Sequence, residues 1–342
     1  YNVILNAPDV KMIYHDGTRF TATLTDKKGN PIRDATIEIT VNGRSYDKIT
    51  DEKGSVSLGL NLDSGIYSVV VKFKGLPNYS PITKHANVTI EPTVKGLDVV
   101  KMFRNSTQYY AIFTDSQGNF LKNKNVQFNI NGVFYTKTTN DKGIAMMGIN
   151  LNPGKYIITA KNLVTGEQSS NIITVKSLIV QKDLTKYYLN ASRFEATIYN
   201  KDGSLAVNKE VTFNINGVFY HMTTDSNGVA SLGISLRPGE YIITTMFDGL
   251  AIGNKVSVLP TLVTKNLNMK YLDGSSFTAQ TLDGQGKPLT NQNVSFNVNG
   301  VFYYKVTDNN GIAKLNIRLM PGEYIITSCW NNFQTGNTIK IE

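Results

Sequence analysis

The chain has 342 residues, 41% of them hydrophobic and 18% charged, with 18 Tyr, 15 Phe, 28 Gly and a formal net charge of +9. That length exceeds one ordinary core and asks for two domains or several small ones, and the composition is too apolar and too weakly charged for a disordered chain. One Cys and three His exclude a disulfide framework, a cysteine-based metal site and most imidazole chemistry.

Taken in chain order, the elements repeat. Asn-Gly-Val-Phe-Tyr stands at residues 131–135, 216–220 and 299–303, with a weaker copy, Asn-Gly-Arg-Ser-Tyr, at 42–46. The flanks recur as well, giving a period of about 85 residues and four domain-sized copies: 1–91, 92–176, 177–259 and 260–342. The junctions, at 90–93, 175–177 and 259–261, are too short to be flexible linkers. Within repeat 2 the periodicity predicts strands at 99–103, 109–114, 126–130, 133–138, 144–149, 156–160 and 171–175, because residues such as Val126, Phe128 and Ile130 alternate with polar partners. Asn-Gly between two such runs predicts a type I′ hairpin. Asp115 to Gly118 and Asn140 to Gly143 predict turns capped by the Asx side chain. About seven strands per unit with no helical window make each copy an all-β sandwich, and four in tandem an extended, monomeric rod.

Leu-x-x-Gly-x-Tyr precedes the sixth strand in every copy and places Tyr67, Tyr156, Tyr241 and Tyr324 at a tyrosine corner, a structural role in which the hydroxyl bonds back to the connecting backbone. Alternation in Val-Phe-Tyr puts Phe and Tyr on opposite faces. Repeat 1 keeps Tyr46 and lacks the Phe, so Tyr is assigned to the core. Phe134, Phe219 and Phe302 are assigned outward, where they would contact the next repeat, a partner or a sugar ring.

The set Val-x-Phe-Asn-Ile/Val-Asn-Gly-Val-Phe-Tyr, Thr-Asx-x-x-Gly-Ile/Val-Ala and Leu-x-Pro-Gly-x-Tyr-Ile-Ile-Thr resembles the immunoglobulin-like, Big-type repeats of adhesin-like surface proteins of methanogenic archaea. The resemblance covers all four copies and is specific for repeats 2 to 4. Repeat 1 departs from it, with Arg44-Ser45 for Val-Phe and Asp63-Ser64 for the Pro-containing turn. It implies four tandem immunoglobulin-like Greek-key β-sandwiches in an extracellular, cell-surface protein whose repeats form a stalk carrying a binding region away from the envelope. The alternative is that the repeats themselves bind cell-wall or host carbohydrate or a partner-cell protein.

Counting Lys and Arg minus Asp and Glu gives +1, +6, 0 and +2 for repeats 1 to 4. The lysines of repeat 2 (Lys122, Lys124, Lys137, Lys142, Lys155 and Lys161) are spread without interleaved aromatics and read as a solvated surface, so nucleic acid is not an expected partner. Some Gram-positive surface domains carry a Lys to Asn isopeptide crosslink between first and last strands. Lys101 with Asn171 and Lys186 with Asn254 hold matching first and last strands, whereas Lys11 and Lys270 fall out of register by one residue and no acid recurs at a core position. Asn78, Asn87, Asn105, Asn190 and Asn293 open Asn-x-Ser/Thr sequons suited to glycosylation of an exported protein. The Asx turns carry too few carboxylates for calcium. No catalytic, cofactor or metal constellation recurs, since His15, His85 and His221 hold unrelated positions in the repeat. No apolar run is long enough for a transmembrane helix, so no membrane insertion is expected of this segment. Tyr1 opens no basic-then-apolar signal segment, and the chain reads as a piece of a longer protein.

Overall fold

The computed structural model describes all 342 residues, and its regular structure is β throughout. The chain forms two compact units, Tyr1–Lys176 and Ser177–Glu342. Each unit holds two β-sandwiches of eight strands.

The strands of repeat 1 are β1 (Val3–Asn6), β2 (Val10–Ile13), β3 (Arg19–Asp26), β4 (Thr36–Val41), β5 (Arg44–Ile49), β6 (Ser55–Gly59), β7 (Gly65–Phe73) and β8 (Ile82–Glu91). Repeat 2 has β9 (Val94–Gly96), β10 (Val99–Met102), β11 (Gln108–Phe113), β12 (Asn125–Ile130), β13 (Val133–Thr138), β14 (Ile144–Gly148), β15 (Gly154–Lys161) and β16 (Gln168–Lys176). Repeat 3 has β17 (Ile179–Gln181), β18 (Leu184–Tyr187), β19 (Arg193–Ile198), β20 (Glu210–Ile215), β21 (Val218–Thr223), β22 (Val229–Gly233), β23 (Gly239–Phe247) and β24 (Leu250–Leu259). Repeat 4 has β25 (Leu262–Thr264), β26 (Leu267–Met269), β27 (Ser276–Thr281), β28 (Asn293–Val298), β29 (Val301–Val306), β30 (Ile312–Asn316), β31 (Gly322–Trp330) and β32 (Phe333–Ile341). In every repeat a three-stranded sheet faces a five-stranded one; in repeat 2 the orders are β14-β11-β9 and β10-β16-β15-β12-β13.

The eighth strand corrects the expected seven. The expected first strand, 99–103, is β10 alone, and ahead of it stands β9, a strand in the other sheet that the expected set lacks. β9 pairs antiparallel with β11, and after a short kink β10 pairs parallel with β16. An acid or amide sits at each kink. The Asp98 carboxylate accepts from the Ile172 amide at 2.9 Å, and Asp9, Asp183 and Asn266 accept from Asn87, Lys255 and Thr338 at 2.8 to 3.0 Å. The first strand is thereby pinned to the last as it changes sheets, a link invisible to periodicity because three-residue β9 is too short to show alternation.

Alternation builds the core. Val126, Phe128 and Ile130 of β12 are buried and face Tyr109, Ala111 and Phe113 of β11, with the Tyr109 and Phe128 rings edge-on at 5.5 Å. Phe194 with Phe213 and Phe277 with Phe296 repeat the arrangement at 5.9 and 5.8 Å. Each such ring contributes about 2 to 3 kcal/mol by leaving water, and the edge-on geometry suits the ring quadrupoles.

The turns follow the side chains that demand them. Asn131 and Gly132 have φ of 52° and 73°, the two left-handed residues of a type I′ hairpin. Asn140 caps its turn by accepting from the Lys142 and Ile144 amides, and Gly143 closes it. A Cβ on Gly143 would run into the Phe113 carbonyl, whose own amide bonds to the Gly143 carbonyl at 2.8 Å. The Thr before that turn is buried in all four repeats. Thr139 Oγ1 donates to the Leu121 carbonyl at 2.6 Å and accepts from the Lys124 amide at 3.0 Å, and Thr50, Thr224 and Thr307 do the same for Ile32, Ala206 and Leu289 and their neighbours. The recurring Thr-Asx-x-x-Gly string is thus one device, a buried hydroxyl that stitches the loop before β12 to the end of β13 in repeat 2 and its counterparts elsewhere.

Candidate functional site

Exposed chemistry concentrates on the outer strand of each five-stranded sheet, namely β5, β13, β21 and β29. Phe134, Phe219 and Phe302 point outward and are 63%, 59% and 59% exposed. Tyr135 directly opposes buried Phe128, which places it on the inner face as expected, yet it is 40% exposed, and Tyr46, Tyr220 and Tyr303 are similar. The assignment of these tyrosines to the core is therefore corrected. A sheet of five strands faces a sheet of three, and its outermost strand has no full cover on its inner side. The outcome is a strand exposed on both faces. Repeat 1 carries Arg44, Asp47 and Lys48 there, whereas repeats 2 to 4 present Val-Phe-Tyr.

The tyrosines of the Leu-x-x-Gly-x-Tyr motif each donate to the carbonyl four residues back. Tyr67 reaches Asp63, Tyr156 reaches Asn152, Tyr241 reaches Arg237 and Tyr324 reaches Met320, all at 2.7 to 2.8 Å.

The paired Lys and Asn residues are not brought together. Lys101 is opposite Val175 in the parallel ladder, four residues along the strand from Asn171. Its buried ammonium donates to the Ile149 carbonyl at 2.7 Å and the Thr107 carbonyl at 3.3 Å, and Lys186 likewise reaches Ile234 and Ser192. Burial pulls both ammonium groups below the ordinary lysine range. The structural counterparts of these lysines in repeats 1 and 4 are Met12 and Met269, opposite Ile90 and Ile341. Asn171 instead belongs to the kink: its Nδ2 donates to Asp98 at 3.1 Å, and its Oδ1 accepts from the Tyr109 hydroxyl at 2.8 Å. Burial, with the Asp98 charge adding, pushes the Tyr109 phenol up to about 12. Asn254 makes the same bond to Asp183, with Gln181 as the donor to its Oδ1. A crosslink needs lysine and asparagine in contact, and each is held elsewhere.

Of the sequons, Asn78, Asn87 and Asn293 are exposed. The Asn105 side chain caps its own turn at Thr107, and Asn190 Nδ2 is engaged with the Gly284 carbonyl at 2.6 Å. None of the six surface lysines of repeat 2 is buried.

Inside each unit the first sandwich meets the second through the end of its parallel strand. In unit 1 Ser116 Oγ donates to the Tyr14 carbonyl at 2.9 Å. In unit 2 the Asn190 bond to Gly284 is joined by the Tyr188 and Phe333 rings at 5.4 Å.

No family model matches the chain. It is similar to the inverse autotransporter adhesin YeeJ of Escherichia coli (strain K12), 22% identical over 393 aligned residues that take in 95% of this chain. The chain spans 17% of the length of that curated relative. Among solved structures it aligns with a Ca2+-stabilized adhesin with which an Antarctic bacterium binds ice (16% identity, 100% of this chain and 99% of the other, TM-score 0.20). It also aligns with invasin, a bacterial integrin-binding protein (13% identity, 99% of this chain and 79% of the other, TM-score 0.23). At these scores the alignments add nothing to the fold described above.

Proposed function

We propose that the chain is a segment of a cell-surface, adhesin-like protein in which four immunoglobulin-like repeats act, without catalysis, as a stalk that holds a binding region away from the envelope. The observation that carries this reading is the parallel pairing of first and last strands in every repeat: β2 with β8, β10 with β16, β18 with β24 and β26 with β32. Tension enters such a repeat at one end of this ladder and leaves at the other, so its hydrogen bonds are loaded together in shear rather than peeled one at a time. The similarity to a bacterial adhesin along 95% of the chain supports the same reading. Affiliation with methanogen repeats rests on the motif resemblance alone. A second reading, binding of cell-wall or host carbohydrate or a partner-cell protein by the repeats themselves, draws on the exposed Phe134, Phe219 and Phe302.

Sedimentation of the chain with isolated envelopes and a polysaccharide panel, at low and physiological salt, separates the two. A pure stalk stays in the supernatant. Pelleting that survives physiological salt and is lost on Phe134→Ala, Phe219→Ala or Phe302→Ala makes the repeats adhesive, whereas pelleting lost with salt reports only the charge of repeat 2.

A further inference from the structure

The two units treat the same place differently. In unit 1 the turn between β15 and β16, residues 162–167, folds back onto the start of repeat 2 at Thr93 and the end of β11 at Thr114. There buried Asn162 donates from Nδ2 to the carbonyls of Thr93 and Thr114 at 3.0 and 2.8 Å. Buried Glu167 accepts from the Thr93 amide at 2.5 Å and from its hydroxyl at 2.9 Å. In unit 2 the matching turn, between β31 and β32, shrinks to Asn331 and Asn332. The registers of β12 with β15 and of β28 with β31 show that Trp330 stands where Asn162 stands. The Thr93 and Thr114 carbonyls have Thr261 and Leu282 as counterparts, since the Leu282 amide bonds to the Thr261 carbonyl as the Thr114 amide bonds to that of Thr93.

What unit 1 fills with its own carboxamide is a cleft of about 350 Å3 in unit 2, walled by Tyr188 of repeat 3 and by Asp283, Gln292, Trp330 and Asn331 of repeat 4. That volume accepts one or two sugar rings and lies at the small end of ligand sites. The walls are fixed by the Asn190 to Gly284 bond and the Tyr188 and Phe333 pair, and the indole Nε1 donates to Gln292 at 3.3 Å. No cationic side chain lines the cleft, and Asp283 does, which disfavours an anion. Asn331 and Asn332 both hold left-handed backbone, φ 50° and 58°, as Asp248 and Gly249 do at the matching turn of repeat 3.

We propose that this cleft binds a neutral saccharide, stacked on Trp330 and donating hydrogen bonds to the Thr261 and Leu282 carbonyls as Asn162 does to their counterparts in unit 1. An aromatic face flanked by carboxamides and a carboxylate suits a ring with one apolar C–H face and a rim of hydroxyl or acetamido donors. The site deepens the second reading above but does not use the edge phenylalanines, so the two are separable.

Trp330 is the chain's single tryptophan, so its fluorescence reports this cleft alone. The whole chain is titrated with chitotriose and with cellotriose. A saturable emission change is expected with a Kd of about 0.1 to 5 mM. Response to chitotriose only assigns the acetamido group as the donor, and response to both assigns ring hydroxyls. Asn331→Gly, which suits the left-handed turn and removes a wall amide, and Gln292→Ala are each expected to weaken binding about fivefold or more. Phe219→Ala leaves it unchanged, which distinguishes this cleft from the edge strands. Absence of a saturable response to either sugar, or a response indifferent to both Asn331→Gly and Gln292→Ala, overturns the proposal.

Discussion

Two buried lysines and one buried tyrosine make the sharpest single-residue statements. Lys101 and Lys186 are satisfied by backbone carbonyls with no carboxylate beside them, in a position where repeats 1 and 4 carry methionine. Lys101→Met is therefore expected to raise stability by about 1 kcal/mol, the desolvation cost of the ammonium outweighing two carbonyl contacts, as read by urea unfolding of the whole chain. Because burial lowers its pKa, the unfolded chain holds the extra proton as pH approaches the ordinary lysine value of 10.5. Stability from this group therefore rises with pH over that interval, and Lys101→Met flattens the rise. Tyr109 works the other way. Its phenol titrates at about 12 when folded and at 10 in the ordinary case, so its contribution is complete below pH 10 and is lost between 10 and 12. Tyr109→Phe removes that alkaline loss at a cost of about 1 kcal/mol near neutral pH, since Asn171 then lacks its donor; thermal unfolding on either side of pH 10 measures both effects.

At the scale of elements, Gly143→Ala tests the loop that ties β11 to the turn before β14. A Cβ there meets the Phe113 carbonyl on a left-handed backbone. A loss of about 2 kcal/mol or more is expected in chemical denaturation, against about 0.5 kcal/mol or less for Phe134→Lys on the exposed edge. The edge change is expected to lower self-association in light scattering, because an unpaired apolar strand is a template for another chain. Most strands and both turn types were legible, since alternation and Asn-Gly or Asx-x-x-Gly chemistry are local. Three things were not. β9 is too short for a period, and the Asp98 to Ile172 link spans 74 residues. Tyr135 reads as a core residue because its face is right; only the count of strands in each sheet decides that this face is uncovered. Trp330, Asp283 and Tyr188 meet only through the junction of two sandwiches, so no single repeat reveals their cleft.

For the molecule as a whole, a stalk requires that each of the four repeats carry load through its parallel pair of terminal strands. Asp98 and its counterparts fasten that pair at the point where the first strand changes sheets. Stretching the whole chain between handles at its two ends is the direct measurement. Four cooperative unfolding events are expected, each releasing on the order of 250 to 300 Å of contour from about 85 residues. Asp98→Ala is expected to lower the force of one event only. Fewer than four events, or gradual extension at low force without cooperative steps, would contradict a stalk built from four shear-loaded sandwiches.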